Sequence, residues 1–276
     1  MGRIETFQIW IPYCREERTV HVYLPACYEQ KQNKRFPVIY MHDGQNIFED
    51  KGAFGGCSWG IKETLECMEE QGKIEGIIVV GIENNGDRRF EDYSPWKNTM
   101  EKTTFPAGSH GGDGEEYAAF AAGELRERIN ETYRTLTDAE HTYVCGSSMG
   151  GFISAYMMVR YPEIYGGAGI FSLASWFAEE IFLSEIKRRG VNKKQRYFVQ
   201  VGTEETSDTE NPCMPQIYLN NSIHYVKALW EQNLSADHIY FGVGVGDTHS
   251  ERCWRKYMEA MFLFLVETKA AERNIG

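Results

Sequence analysis

The sequence predicts an α/β fold: a mostly parallel central sheet that begins with an antiparallel hairpin and carries helices on both faces. Two observations lead to this prediction. Short apolar runs alternate with amphipathic segments from residue 36 onward, as they do where crossover helices join parallel strands. Ahead of them, two runs rich in β-branched and aromatic residues, 4–11 and 18–24, flank a polar turn and predict the hairpin. No repeat or linker interrupts the pattern, so residues 1–276 are predicted to form a single domain.

The individual elements follow from their periodicity. Apolar runs typical of strands buried on both faces lie at 36–42, 77–82, 167–172, 197–202 and 238–243, and a further strand directly precedes Ser147. Apolar residues at helical spacing predict helices at 59–73, 115–134, 149–161, 216–232 and 254–265. Residues from about 84 to 114 follow neither period. A stretch of this length inside a compact enzyme is typical of a functional loop, so we expect an active-site loop there.

The composition limits the classes of partner. The formal net charge of the 276 residues is -11, and because nucleic acids and anionic membranes attract basic surfaces, neither is expected as a partner. Seven cysteines are scattered without a C-x-x-C pair, which favours a reduced, cytoplasmic protein over a disulfide framework or a zinc site. No signal peptide and no membrane-spanning run is predicted. A homo-oligomer is compatible with the sequence.

The segment Gly146-Ser147-Ser148-Met149-Gly150 lies between a predicted strand and a predicted helix. It fits the G-x-S-x-G pattern of a nucleophile elbow, in which a strand turns sharply into a helix and holds one serine in a strained backbone conformation. Side chains two residues to either side would collide with the neighbouring backbone, so both positions are glycine. The pattern predicts Ser148 as a nucleophile at the carboxyl edge of the sheet. A capping serine in a glycine-rich turn is the alternative.

A serine nucleophile needs a base, and His249 is the candidate. Active sites of parallel sheets form at the carboxyl ends of the strands, and the order along the chain is expected to be serine, acid, histidine. His249 follows the last predicted strand after a glycine-rich turn, and it alone among the seven histidines has this placement.

The acid that orients the base is expected past the strand that ends at Gly202. Glu204, Glu205 and Asp208 lie there, and Glu205 is preferred. Asp247 is close to the histidine in sequence, but it is predicted to be a turn former because aspartate is ordinary in a glycine-rich turn.

Two backbone N–H groups are predicted to stabilise the oxyanion that forms when Ser148 attacks an ester. One belongs to Met149, the residue after the nucleophile. The other is expected from the loop 42–46 after the first buried strand, with Gln45 as the donor and Gly44 permitting close approach.

Large aromatic residues are candidates for the wall of a substrate cleft. Trp96 lies in the expected active-site loop and Trp176 follows a strand; both are predicted to bind substrate, with burial in the core as an equal alternative. Phe105 is predicted to belong to the core. No metal site is predicted, because the loop offers too few ligands.

Five short motifs follow one another along the chain, at residues 40–48, 93–96, 146–151, 201–205 and 246–249. With them the chain resembles the putative-esterase family of α/β hydrolases, which holds enterochelin, feruloyl and acetyl-xylan esterases, S-formylglutathione hydrolases and mycolyltransferases. The resemblance implies an α/β-hydrolase fold with the nucleophile at Ser148, the histidine at His249 and the acid at Glu205, where many members have aspartate.

Together these residues predict a serine carboxylic-ester hydrolase that works through an acyl-enzyme and needs no cofactor. The expected partner is a small-molecule acyl ester of a sugar, phenolic or siderophore-type alcohol. An acyltransferase or thioesterase on the same scaffold is the alternative among enzymes. A non-catalytic binding module is the alternative from another class.

Overall fold

One sheet of eight strands runs through residues 1–100 and 106–266, the parts of the chain that this computed structural model describes. The strands are, in chain order, β1 (Arg3–Ile11), β2 (Glu16–Leu24), β3 (Val38–His42), β4 (Ile78–Ile82), β5 (Thr142–Ser147), β6 (Gly167–Phe171), β7 (Arg196–Glu204) and β8 (Ile239–Thr248). Their order across the sheet is β1-β2-β4-β3-β5-β6-β7-β8. The β1–β2 and β2–β4 pairs are antiparallel and the other neighbours are parallel. The predicted sheet with its N-terminal hairpin is confirmed.

Helices cover both faces of this sheet. In the described ranges they are α1 (Ile61–Glu70), α2 (Arg89–Asp92), α3 (Gly114–Phe120), α4 (Arg126–Thr132), α5 (Met149–Arg160), α6 (Glu179–Arg189), α7 (Met214–Glu231), α8 (Glu251–Trp254) and α9 (Met258–Leu265). A π-helical turn, Ala121–Leu125, joins α3 to α4 where the sequence predicts one continuous helix. None of the helices in these ranges combines the length and the apolar character needed to span a membrane.

The sequence does not predict α6. Its only buried residues are Phe182 and Ile186, and two apolar positions in a charged segment are too few to establish a helical period. They are nevertheless enough to dock the helix, because the Phe182 ring stacks on Tyr225 of α7 at 5.7 Å and meets Phe152 of α5 edge-on at 5.1 Å.

Alternate side chains of the central strands face opposite helical layers. In β3, Val38 and Tyr40 join the core that includes α3 to α7, whereas Ile39 and Met41 join the core that includes α1 and α9. All four side chains are at most 1% exposed. The strand carries no polar–apolar alternation because both of its faces are covered.

The parallel strands bring the predicted site residues to one edge of the sheet. Gln45 follows β3, Ser148 follows β5, Glu205 follows β7 and His249 follows β8. Since β3 lies beside β5 and β7 beside β8, with β6 between the two pairs, all four loops meet at the carboxyl edge, where open α/β sheets place their ligands.

Candidate active site

Ser148 occupies the sharp turn between β5 and α5. Its backbone angles are φ 56° and ψ -123°, a conformation that costs a non-glycine residue about 1–3 kcal/mol. A Cβ at Gly146 would lie 2.5 Å from the backbone of Gly150, and a Cβ at Gly150 would lie 3.2 Å from Oδ2 of Asp43. The two glycines therefore allow the turn to close around the serine.

The backbone on either side of Ser148 fixes the turn and leaves a donor beside it. The Ser148 N–H donates to the carbonyl of Phe171 at 2.9 Å, which ties the turn to the end of β6. Met149 begins α5, so its N–H belongs to the first helical turn and has no acceptor within the helix. The positive end of the helix dipole points to the same place.

Glu205 and His249 are in direct contact. Nδ1 of His249 lies 2.6 Å from Oε2 of Glu205, and the two side chains are 13% and 1% exposed. The other carboxylate oxygen, Oε1, accepts from the hydroxyl of Ser172 at 2.5 Å and from the N–H of Gly202 at 2.8 Å. A carboxylate held in this way orients the ring and leaves Nε2 as the nitrogen that can exchange a proton with substrate groups.

The other candidate acids are bonded elsewhere. Asp247 accepts from Nζ of Lys256 and from the hydroxyl of Tyr257, both at 2.5 Å. Asp208 accepts from the N–H of Glu210 at 3.1 Å, within a surface turn. Glu204 is exposed. Of the four carboxylates considered from the sequence, Glu205 is the one in contact with His249.

The loop after β3 is held by an ion pair in which the carboxylate is buried and the guanidinium half-buried. Asp43 has φ 57°, and its carboxylate accepts from Nε and Nη2 of Arg89 at 2.8 Å each and from Nδ2 of Asn84 at 2.6 Å. Burial would raise the pKa of Asp43, but the guanidinium and the amide outweigh this and hold that pKa below its usual value. Arg89 and Asn84 come from the segment that the sequence leaves without a period, so part of that segment supports the loop.

Gln45 uses its side chain to hold the same loop. Its Oε1 accepts from the N–H of Asn84 at 3.2 Å. Beside it, a Cβ at Gly44 would lie 2.5 Å from the carbonyl carbon of Gly81, so glycine lets the loop approach β4. The backbone N–H of Gln45 remains the predicted second oxyanion donor.

Three residues around His249 were not predicted from the sequence to lie at the site. The imidazole lies against the rings of Tyr218 and Trp254, with centroids 4.9 and 5.1 Å away. Nε1 of Trp254 donates to Oγ of Ser172 at 2.7 Å, and that serine in turn donates to Glu205. The position of Ser172 just past β6 was a usable signal, because the neighbouring strands end in site residues.

The two tryptophans predicted to contact substrate lie in different surroundings. Trp96 packs among aromatic residues of α5 and α6, with ring centroids 5.5 Å from Tyr156 and 6.2 Å from Phe182. Trp176 is 5% exposed, and its ring meets that of Tyr218 edge-on at 6.3 Å. Because Tyr218 in turn contacts His249, Trp176 lies in the second layer of side chains around that histidine. Their contact with substrate stays a prediction, and Phe105 lies outside the described residues.

Glu251 connects α8, the helix that follows His249, to the loop after β3. It is 7% exposed, lies in the first turn of α8, and its Oε1 accepts from Nδ2 of Asn46 at 3.3 Å. Burial raises the pKa of Glu251 to about 7, and the negative charge of Asp43 adds to the rise. Because this pKa is higher in the folded state than in the unfolded chain, the folded state binds more protons between about pH 4.5 and 7, and its stability falls as the pH rises through that window.

We therefore expect Glu251→Gln to stabilise the protein above pH 7 by about 1–3 kcal/mol. Below about pH 4.5 the advantage is expected to disappear, since both residues are then neutral. Urea unfolding at pH 4.5 and pH 8 measures the difference. Glu131→Gln is the control, because Glu131 is exposed on α4. A Glu251→Gln gain that is equal at the two pH values would contradict the expectation.

Comparison with known proteins gives one family. The model of the family described as Putative esterase matches residues 12–265. The chain is 24% identical to the uncharacterized protein YbbA of Bacillus subtilis (strain 168) over 242 residues, which is 87% of this chain and 88% of YbbA. It is 26% identical to an endo-1,4-beta-xylanase/feruloyl esterase of Xylanibacter ruminicola over 266 residues, 94% of this chain and 31% of that protein.

A solved structure shares the fold over almost the whole length of both chains. It is a ferulic acid esterase, which superposes with a TM-score of 0.71 at 16% sequence identity and covers 96% of this chain and 98% of its own. At this identity the likeness shows the fold, which is the α/β-hydrolase fold expected from the sequence.

Proposed function

The chain belongs to the Putative esterase family and is a carboxylic ester hydrolase, and from this premise we propose that it works through an acyl-enzyme on Ser148. His249 is the general base and Glu205 is the acid that orients it. The observation that supports the proposal is the 2.6 Å contact between Nδ1 of His249 and Glu205, at the sheet edge where Ser148 sits in a strained turn. Strain and a buried, paired acid at one edge are features of a catalytic constellation.

In the acylation step, Nε2 of His249 takes the proton of Ser148 as Oγ attacks the ester carbonyl. The carbonyl oxygen becomes negatively charged and accepts hydrogen bonds from the backbone N–H groups of Met149 and Gln45. Glu205 stabilises the imidazolium that forms, and its bonds to Ser172 and Gly202 keep it in place. The imidazolium then gives its proton to the departing alcohol.

In the deacylation step, water replaces the alcohol. His249 takes a proton from the water as it attacks the acyl carbonyl, the same two N–H groups hold the oxyanion, and collapse of the intermediate releases the acid and restores Ser148. No step needs a cofactor.

The proposed substrate is an acyl ester of a sugar, phenolic or siderophore-type alcohol. The names of two similar proteins, an endo-1,4-beta-xylanase/feruloyl esterase and a ferulic acid esterase, bear on the acyl group of such an ester and favour a phenolic acid there; they do not specify the alcohol. The cytoplasmic location and the lack of a nucleic-acid partner stay predictions from the composition.

Labelling with a fluorophosphonate probe tests the proposal. We expect one adduct, located by peptide mass spectrometry on Ser148, since the probe reacts with a serine activated by a histidine. Ser147→Ala is a matched control, because it removes the neighbouring hydroxyl at the end of β5 and should keep the label. A protein that takes no label would favour the non-catalytic module, and a label at another serine would contradict the assignment of Ser148 as the nucleophile.

A further inference from the structure

Ser172 is a second strained serine at the edge of the sheet that carries Ser148. It directly follows β6, is fully buried and has φ 47°, a backbone conformation that costs a non-glycine residue free energy. Its N–H donates to the carbonyl of Gln200 in β7 at 2.8 Å. Strain of this kind persists only where the surrounding structure holds it, and it clusters at active sites. The conformation of Ser172 therefore indicates a role in the site.

The hydroxyl of Ser172 has a fixed direction, which follows from its two partners. Nε1 of Trp254 lies 2.7 Å from Oγ of Ser172, and because an indole nitrogen can only donate, Oγ accepts this bond. Oε1 of Glu205 lies 2.5 Å from the same Oγ, and an ionised carboxylate can only accept. The single hydroxyl proton of Ser172 is therefore directed at Glu205. The bonds run one way, from the indole through the serine to the carboxylate.

This donor decides how the carboxylate of Glu205 is oriented. Its Oε1 accepts from the Ser172 hydroxyl and from the N–H of Gly202 at 2.8 Å, which leaves Oε2 for Nδ1 of His249 at 2.6 Å. With the Gly202 bond alone, the carboxylate could turn about a single contact and carry Oε2 away from the imidazole. The Ser172 hydroxyl removes this freedom, because it holds Oε1 from a second direction.

We propose that Ser172 is a positioning residue: its hydroxyl fixes the carboxylate of Glu205 in the orientation that holds the imidazole of His249 in place for catalysis. The inference rests on the proposed acyl-enzyme mechanism, in which Glu205 orients the base. Ser172 itself touches neither the substrate nor the reacting atoms in this role. Because it acts through a base that is protonated in the transition states, its loss lowers kcat and leaves KM nearly unchanged.

Ser175 provides a matched control in the same loop. It begins the short 3-10 turn Ser175–Phe177 that follows Ser172 and is also buried. Its hydroxyl has no hydrogen-bond partner in the described part of the chain. Ser175→Ala thus removes a buried hydroxyl close to Ser172 without removing a bond to Glu205.

We expect Ser172→Ala to lower kcat by about 10–50-fold, with KM for p-nitrophenyl butyrate within about threefold of the wild-type value. Ser175→Ala should stay within about twofold for both constants. In the Glu205→Gln background, Ser172→Ala should lower kcat by less than about a further threefold, because no carboxylate is left to orient. A merely structural role would instead lower kcat by the same factor in both backgrounds.

Trp254→Phe separates loss of stability from loss of positioning. The change removes the indole N–H bond to Ser172 and leaves a cavity, since Trp254 is buried, so the Tm should fall. An aromatic ring remains against His249, and the hydroxyl of Ser172 still donates to Glu205. We therefore expect kcat of Trp254→Phe to stay within about threefold of wild type, although the fold is destabilised at the same place.

Three results would overturn the inference: a Ser172→Ala variant as active as Ser175→Ala, an equal loss of kcat with and without Glu205→Gln, or an equal loss of kcat in Trp254→Phe. Fluorophosphonate labelling of Ser148 separates these outcomes from failure of the proposed function. If Ser148 reacts with the probe and Glu205→Gln is slow while Ser172→Ala is fully active, only the role of Ser172 is wrong. If Ser148 does not react in the wild type, the acyl-enzyme mechanism is wrong and the inference fails with it.

Discussion

Replacing Ser148 by alanine is expected to lower kcat for ester hydrolysis by about 10⁴-fold or more. Without Oγ no acyl-enzyme can form, and the remaining oxyanion donors and His249 can only assist direct attack by water. Hydrolysis of p-nitrophenyl acetate and of feruloyl esters by purified protein measures the loss. Single-turnover experiments should show neither a burst of alcohol release nor a covalent adduct.

The Ser148→Ala variant is expected to fold as the wild type does. Alanine carries the same Cβ as serine, so it meets the same strain at φ 56°, and the free energy of unfolding should change by less than about 0.5 kcal/mol. Ser154→Ala is a suitable control, because Ser154 is a buried serine of α5 whose hydroxyl donates to the carbonyl of Gly150 at 2.7 Å. Wild-type rates in Ser148→Ala would refute the acyl-enzyme mechanism.

The placement of the candidate site residues at one edge of the sheet could be predicted from the sequence, because it depends on their order along the chain. Ser148, Glu205 and His249 each follow a parallel strand, and parallel strands bring their carboxyl ends together whatever the lengths of their loops. The glycines around the serine could be predicted because the turn leaves no room for a side chain there: a Cβ at Gly146 would collide with the backbone of Gly150. Such constraints are local or topological, so a pattern of residues can express them.

The residues that surround His249 could not be predicted from such local or topological constraints. Tyr218 and Trp254 lie on helices where their spacing indicates burial, and many buried aromatic residues elsewhere in the chain have the same spacing. What distinguishes them is the position of α7 and α8 relative to the ends of β5 and β8. That position depends on how the whole layer of helices packs against the sheet, so it cannot be predicted from a short segment of sequence.

The segment from about 84 to 114 is a second region whose contribution to the site could not be predicted from the sequence. The sequence predicts only a loop there, because its one α-helix before residue 100, α2, has four residues and four residues cannot display a helical period. Arg89 begins that helix and pairs with Asp43. A short, aperiodic segment thus supplies the charge that holds the loop of the predicted oxyanion donor.

Replacing Glu205 by glutamine is expected to lower kcat by about 10²–10⁴-fold, with a much smaller change in KM. The carboxylate accepts from Nδ1 of His249 at 2.6 Å and stabilises the imidazolium that forms in each transition state. A neutral amide offers no compensating charge, and its NH₂ group, if turned to the ring, favours the wrong tautomer. The amide oxygen can still accept from Ser172 and Gly202, so the loop should keep its shape. Steady-state kinetics and thermal unfolding of the same preparation separate the two effects.

Glu204→Gln is the matched control, because Glu204 precedes Glu205 directly but is exposed and should leave kcat unchanged. Two mechanisms predict different results for Glu205→Gln. If the acid stabilises the imidazolium, kcat must fall by at least the factor of about 10² given above. If His249 and Ser148 suffice as a pair, with the ring held by its contacts with Tyr218 and Trp254, kcat should stay within about threefold of wild type. The second result would leave Glu205 a structural role, that of the acceptor for Ser172 and Gly202 at the end of β7.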